Sequence, residues 1–259
     1  MLLDGRVVIV SGVGPGLGGR VATAAAAEGA AVVLAARNRE TLARVEADID
    51  AAGGEALCVP TDLTEDRACG DLVAATVGRF GRVDGLVNNA FHGPTGDALV
   101  DADLDGWRRT FDVNVWGTLT LTREVARKMQ DAGSGSIVFV ASMALRIGMA
   151  RQGGYAASKG ALVAASRVLA TELGPAGVRV NAVLPGWMWG PNVEIYCAFE
   201  AHRRAITPEA VRDEIAAAIP LRRVPTDAEC AGAVLFMLSD LASAVTGQAL
   251  DVNGGQFYG

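Results

Sequence analysis

Short apolar runs rich in β-branched residues recur along this chain, and most are followed by a stretch with helical periodicity. The runs fall at Val7–Val10, Ala31–Ala35, Ala56–Pro60, Gly85–Asn88, Ser136–Ala141, Arg179–Leu184 and Gln248–Val252. Helical patterns separate them at Gly18–Ala27, Glu40–Ala51, Asp66–Phe80, Trp107–Met129, Tyr155–Leu173 and Asp227–Leu238. Strands without apolar/polar alternation are buried on both faces, which is the condition of a parallel sheet covered by helices. The alternation therefore predicts an α/β fold with a doubly wound parallel sheet. A length of 259 residues suits one such domain. Trp187 to Thr226 reads as one long irregular segment, and loops of that size in compact domains are commonly functional.

The first run leads into a glycine-rich turn, Ser11-Gly12-Val13-Gly14-Pro15-Gly16-Leu17-Gly18, and an Ala-rich helical stretch follows. Strand, glycine turn and helix are the context of a dinucleotide fingerprint. Glycines let the backbone approach a pyrophosphate, whose charge rests on the free N–H groups of the helix start. The spacing here is Gly-x-x-x-Gly-x-Gly, a more specific variant than the common pattern.

Further on, Ser142 is followed by Tyr155 and then, four residues later, by Lys159. The four-residue step places phenol and ammonium one turn apart on one helix face. A phenol titrates near pH ~10. A neighbouring ammonium favours the phenolate, so Lys159 is expected to draw Tyr155 down toward neutral pH.

In these motifs the chain resembles the short-chain dehydrogenase/reductase family, over roughly Leu3 to Gly255. Other markers appear in order: Asp62 after the third run, Asn88-Asn89-Ala90 after the fourth, Asn114 in Asp-Val-Asn-Val-Trp-Gly, Pro185-Gly186, and Asp251-Val-Asn-Gly-Gly255. The resemblance implies a Rossmann-type sheet in a single domain and hydride transfer between a nicotinamide and an alcohol or ketone carbon. It implies a catalytic set of Asn114, Ser142, Tyr155 and Lys159. Tyr155 would be the proton donor, Ser142 a hydrogen-bond donor to the reacting oxygen, Lys159 a ligand of the nicotinamide ribose, and Asn114 the holder of a relay water. Cofactor contacts are implied for Gly12, Gly14, Pro15, Gly16, Leu17, Gly18, Arg37, Asp62, Leu63, Asn89, Ala90, Tyr155, Lys159, Pro185 and Gly186, with Asp62 on the adenine amino group. It further implies a homotetramer built on the long helices and a substrate lid at Trp187 to Thr226.

Composition narrows the partners. A formal net charge of -6 and the absence of any basic stretch argue against nucleic acid. The longest apolar stretch, Val21 to Ala36, is interrupted by Glu28-Gly29, so no membrane span is expected. The N-terminus enters the first strand almost at once, from which a cytoplasmic protein is expected. Cys58, Cys69, Cys197 and Cys230 are scattered, and His92 and His202 lack partners at ligand spacing, so no metal site is expected.

Cofactor choice rests on the end of the second run. A carboxylate there would bind the adenine ribose of NAD(H), whereas an arginine attracts the 2′-phosphate of NADP(H). The chain reads Leu34-Ala-Ala-Arg37-Asn-Arg39, which favours NADP(H) over NAD(H); Pro15 in the glycine turn counts the other way. Two departures from the family pattern stand out. Phe91 takes the place of a glycine after Asn-Asn-Ala, where its ring either walls the substrate pocket or packs beneath the neighbouring loop. Gly190 takes the place of a threonine that in the family binds the nicotinamide amide, so that contact must come from backbone or another side chain.

Trp187, Trp189 and Tyr196 give the lid an aromatic bias, and with Phe91, Ala144 and Leu145 they outline an apolar substrate pocket; packing in a subunit interface is the other reading of the rings. A small hydrophobic or cyclic secondary alcohol or ketone is the expected substrate. Arg146 and Arg151 offer an alternative, an acidic group or acyl-carrier protein, which with the same catalytic set reads as a 3-oxoacyl thioester reductase. A dinucleotide-binding protein without catalysis is the remaining alternative.

Overall fold

A computed structural model of the chain describes residues 1–258. Among them, parallel strands form one sheet in the order β3-β2-β1-β4-β5-β6-β7. The strands are β1 (Val7–Ser11), β2 (Ala31–Ala36), β3 (Glu55–Pro60), β4 (Gly85–Asn88), β5 (Gly135–Val140), β6 (Val178–Pro185) and β7 (Ala249–Val252). The helices are α1 (Leu17–Ala27), α2 (Arg39–Ala51), α3 (Asp66–Phe80), α4 (Leu104–Phe111), α5 (Thr118–Ala132), α6 (Gly153–Leu173), α7 (Pro191–Arg204), α8 (Pro208–Ala217) and α9 (Asp227–Leu238).

Successive strand residues feed two cores. Val8 and Val10 pack with α1, α2 and α9 on one face, whereas Val7 and Ile9 pack with α3, α5 and α6 on the other. Both faces are thus dry, which is why the strands read as unbroken apolar runs. Strand order reverses between β1 and β4, and their ends, Ser11 and Asn88, pair in register. A crevice opens at such a reversal beyond the carboxyl ends of the strands.

Two elements differ from the sequence expectation. The helix expected at Trp107–Met129 is α4 and α5 joined through a wider π-type turn, Asp112–Gly117, which carries Asn114. The segment expected to be irregular, Trp187 to Thr226, holds α7 and α8. Each begins with proline at its first turn, where the missing N–H costs nothing. Thr207 caps α8, and His202, Arg203 and Arg204 complement the carbonyl end of α7. The excursion is closed at its base where the Trp189 N–H donates to the Pro225 carbonyl at 2.6 Å. No helix of the described residues is long and apolar enough to cross a membrane.

Candidate active site

The glycine turn is locked against the turn after β4. Gly12 has a φ of 75°, and a Cβ there would stand 2.8 Å from the Asn89 carbonyl carbon, with the Ala90 backbone nearer still. The Asn89 amide donates to the Gly12 carbonyl at 2.8 Å, and a Cβ on Gly18 would come within 2.6 Å of that amide nitrogen. Gly12 and Gly18 therefore hold the turn together. Gly14 does something else: a Cβ there would meet no protein atom within 4 Å, and the residue borders the cleft. Helix α1 starts beside it with no acidic residue in its first turn. An open glycine next to free helix N–H groups fits a dinucleotide pyrophosphate.

Two adjoining cavities meet at this turn. One, of about 600 Å³, is lined by Gly12, Ala36, Arg37, Thr61, Asp62, Leu63, Asn89, Ala90 and Phe91. The other, of about 390 Å³, is lined by Gly12, Gly14, Pro15, Gly16, Leu17, Gly18, Asn89, Phe91, Ser142, Tyr155, Lys159, Pro185, Gly186, Met188, Asn192, Val193 and Asp227, among others. Every residue expected to touch the cofactor lines one or the other. Asp62 accepts from the N–H and hydroxyl of Thr64, which hold its carboxyl below the usual range, with Arg37 a smaller aid.

Ser142 ends the loop after β5 and caps a short turn, its Oγ accepting the Ala144 N–H at 3.2 Å. Tyr155 and Lys159 project from the first turns of α6. Gly153 and Gly154 lie against the Trp107 indole, where a Cβ would stand 2.6 and 2.8 Å from ring atoms, so the start of α6 is set by that ring. Lys159 is almost wholly buried, and its Nζ donates to the Val140 carbonyl at 2.8 Å. The same nitrogen lies 5.7 Å from the centre of the Phe91 ring and 5.8 Å from that of Tyr155, while the two rings meet edge to face. Phe91 thus lines both cavities and lies against Tyr155 and Lys159.

The electrostatics differ from expectation. Burial holds the Tyr155 phenol above its ordinary value, opposed by the Ser142 hydroxyl. Burial also pulls the Lys159 ammonium down to about 7. A lysine this dry is a weaker source of positive charge than the sequence spacing implied, so it does not draw the phenol down.

Asn114 departs as well. Its side chain is fully buried behind the cleft rather than lining it. Its Oδ1 accepts the His92 N–H at 2.6 Å, and its Nδ2 donates to the His92 carbonyl at 3.1 Å and the Ser158 hydroxyl at 2.9 Å. Ser158 in turn donates to the Tyr155 carbonyl at 2.7 Å. Both amide hydrogens are taken, so the side chain ties the loop after β4 to α6 and has no proton left for a relay water.

Of the expected substrate pocket only Phe91 lines these cavities. Trp187 and Tyr196 stack on each other at 4.9 Å, and Trp189 packs in the lid's own small core beneath Arg212. Ala144 is buried and Leu145 packs on the sheet core. Met188, Asn192 and Val193 face the cleft instead. Proline at position 191 marks the helix start that aims the last two. Arg146 forms a half-buried pair with Asp251 on β7 at 3.1 Å, so it is not free to greet an acidic partner. Among the described residues no three His, Cys, Asp or Glu side chains cluster to hold a metal.

The fold and the cleft define a dinucleotide-binding oxidoreductase, and comparison with known proteins gives the family. The sequence pattern described as enoyl-(acyl carrier protein) reductase matches residues 12–256. Cis-4-hydroxycyclohexanecarboxylate dehydrogenase of Sinomonas cyclohexanicum is 35% identical over 96% of each chain. The 7alpha-hydroxysteroid dehydrogenase of Escherichia coli K12 is 33% identical over 98% of this chain and 94% of its own. NAD+-bound xylitol dehydrogenase superposes with a TM-score of 0.92 at 33% identity, covering 98% of this chain and 100% of the other. The chain belongs to the short-chain dehydrogenase/reductase family. It is an NAD(P)-dependent oxidoreductase that moves a hydride between nicotinamide and a secondary alcohol or ketone.

Lys159 yields a stability prediction. Its folded value near 7 lies below the unfolded value near ~10.4, so between them the unfolded chain binds the extra proton and stability rises with pH. Relative to Lys159→Met, the wild-type melting temperature will climb from about pH 7 to about pH 10 and stay level below about pH 6. Thermal melts across that range check it.

Proposed function

We propose that this chain interconverts a small apolar ring ketone and its secondary alcohol, with NADP(H) preferred over NAD(H), and that it works as a homotetramer. The observation that carries the reading is the cavity itself, where Ser142, Tyr155 and Lys159 open onto the space bordered by the glycine turn. Phe91, Met188 and Val193 give that space an apolar wall, with the Asn192 amide as one polar handle. The hydroxycyclohexanecarboxylate and hydroxysteroid in two relatives' names are ring alcohols, which agrees with such a space.

When bound, the nicotinamide supplies the hydride for reduction or accepts it in oxidation. Tyr155 donates its phenolic proton to the carbonyl oxygen, and its raised value keeps that proton in place at neutral pH. Ser142 accepts the Ala144 N–H, and its own hydroxyl hydrogen, which otherwise serves the Tyr155 oxygen, steadies the developing charge on the carbonyl oxygen. Lys159 presents its ammonium to the ribose hydroxyls. Asn114 acts through Ser158 on the backbone of Tyr155 and so positions the acid.

The NADP(H) preference rests on Arg37, which is exposed at the end of β2 beside Ala36 and lines the larger cavity. Among the described residues no carboxylate stands at the end of β2, and Asp62 enters the same cavity from the turn after β3. For the assembly, Trp116 and Val168 are 62% and 57% exposed on the segments around α5 and α6, apolar surface that a subunit contact would cover.

Three outcomes are expected. Tyr155→Phe will lower kcat at least about 100-fold while leaving the dinucleotide Kd unchanged; near-normal turnover would refute the proton-donor role. Arg37→Ala will raise the Kd for NADP+ about tenfold or more and that for NAD+ little, by calorimetry; equal effects would remove the preference. Light scattering will return about four chain masses, and a monomer or dimer would overturn the assembly.

A further inference from the structure

Among the described residues Asp227 is the one carboxylate lining the cavity of Ser142, Tyr155 and Lys159, and the reaction steps derived above do not use it. It is the first residue of α9, yet it does not serve that helix as a cap. Thr226 and Glu229 already form a reciprocal capping box, with the Thr226 side chain accepting from the Glu229 N–H and the Glu229 carboxylate accepting from the Thr226 N–H. Among the described residues the Asp227 carboxylate has no hydrogen bond and no ion pair, although the residue is half-buried. Burial raises its pKa, Glu194 on α7 adds to that, and Arg20 on α1 opposes it. Its oxygens open onto the cleft without a protein partner, and a half-buried carboxylate kept in that condition marks a place where a ligand completes it.

Its position is specific. A Cβ on Gly190 would come within 3.0 Å of the Asp227 carboxyl carbon, with one carboxylate oxygen closer still. A Cβ on Gly16 would lie 3.5 Å from the same oxygen. A side chain at 190 would push the carboxylate out of this place. Asp227 borders the cavity of Ser142, Tyr155 and Lys159 and is absent from the lining of the Arg37–Asp62 side. It therefore faces the pyrophosphate-to-nicotinamide part of a bound dinucleotide rather than the adenine end. Phosphate oxygens accept hydrogen bonds and repel a carboxylate, so they cannot complete it. The carboxamide of the nicotinamide carries two N–H donors.

We propose that Asp227 binds the nicotinamide carboxamide by accepting its N–H, and that Gly190 is glycine to admit it. This assignment rests on the dinucleotide reading above. It places the side-chain oxygen that position 190 lacks on the start of a different helix.

The test uses calorimetry on the full chain with two probes: the natural dinucleotide, NADP+ or NAD+, and its 3-acetylpyridine analogue, in which a methyl ketone replaces the amide. Wild-type protein will bind the natural dinucleotide roughly tenfold more tightly than the analogue, as loss of a charge-assisted hydrogen bond requires. Asp227→Ala will bind the two within about twofold of each other, its loss falling on the natural dinucleotide alone. Equal wild-type affinity for the two probes overturns the assignment without any variant. A preference that persists in Asp227→Ala overturns it as well. If wild-type protein binds neither probe, it is the cofactor reading that fails, and the two failures are thereby told apart.

Discussion

Everything in the cleft depends on the contact between the glycine turn and the turn after β4. Gly12 stands where a side chain would strike the backbone at Asn89 and Ala90, and the Asn89 amide holds its carbonyl. Two loops far apart in sequence are thereby pressed together at the point where the strand order reverses. The gap they leave is the dinucleotide crevice. Gly14 and Gly16 border that gap freely because Gly12 and Gly18 carry the packing. The glycines of one short motif thus divide into two kinds, and only atomic neighbours distinguish them.

A second chain of contacts fixes the catalytic helix. Trp107 packs on Gly153 and Gly154, and Asn114 joins the His92 backbone to Ser158 just past Tyr155. The wide turn at Asp112–Gly117 puts Asn114 at the right height for both bonds. The phenol is consequently held from beneath and from the front of its helix. Buried polar groups with all donors satisfied rigidify their surroundings, which is what a proton donor needs. Burial has an electrostatic effect too: it weakens the Lys159 ammonium while keeping the Tyr155 proton on.

The departures from the family pattern share one cause, the occupation of space by neighbours. Phe91 replaces a glycine and lies over Lys159 and against Tyr155. Gly190 stands where the family carries a threonine, and a Cβ there would meet the Asp227 carboxylate. Trp187 and Tyr196, expected as pocket walls, meet each other and Trp189 packs in the lid's small core, while Met188, Asn192 and Val193 line the cavity.

The sequence by itself determined the sheet and its parallel sense, and it singled out the glycine turn and the Ser142, Tyr155 and Lys159 set, which the fold brings to one cavity. Hydrophobic period and short local motifs encode these, because each depends on residues within a turn or two of one another. Helices α7 and α8 went unread in a segment expected to be irregular, and Pro191 and Pro208 at their first turns were the signal available for them. Only the tertiary structure decided that Asn114 faces inward, that Lys159 is dry, that Arg146 is paired with Asp251, and that Asp227 fills the gap beside Gly190. Each of those depends on what a distant segment brings within a few ångströms, and pKa and pocket shape follow from such neighbours rather than from spacing along the chain.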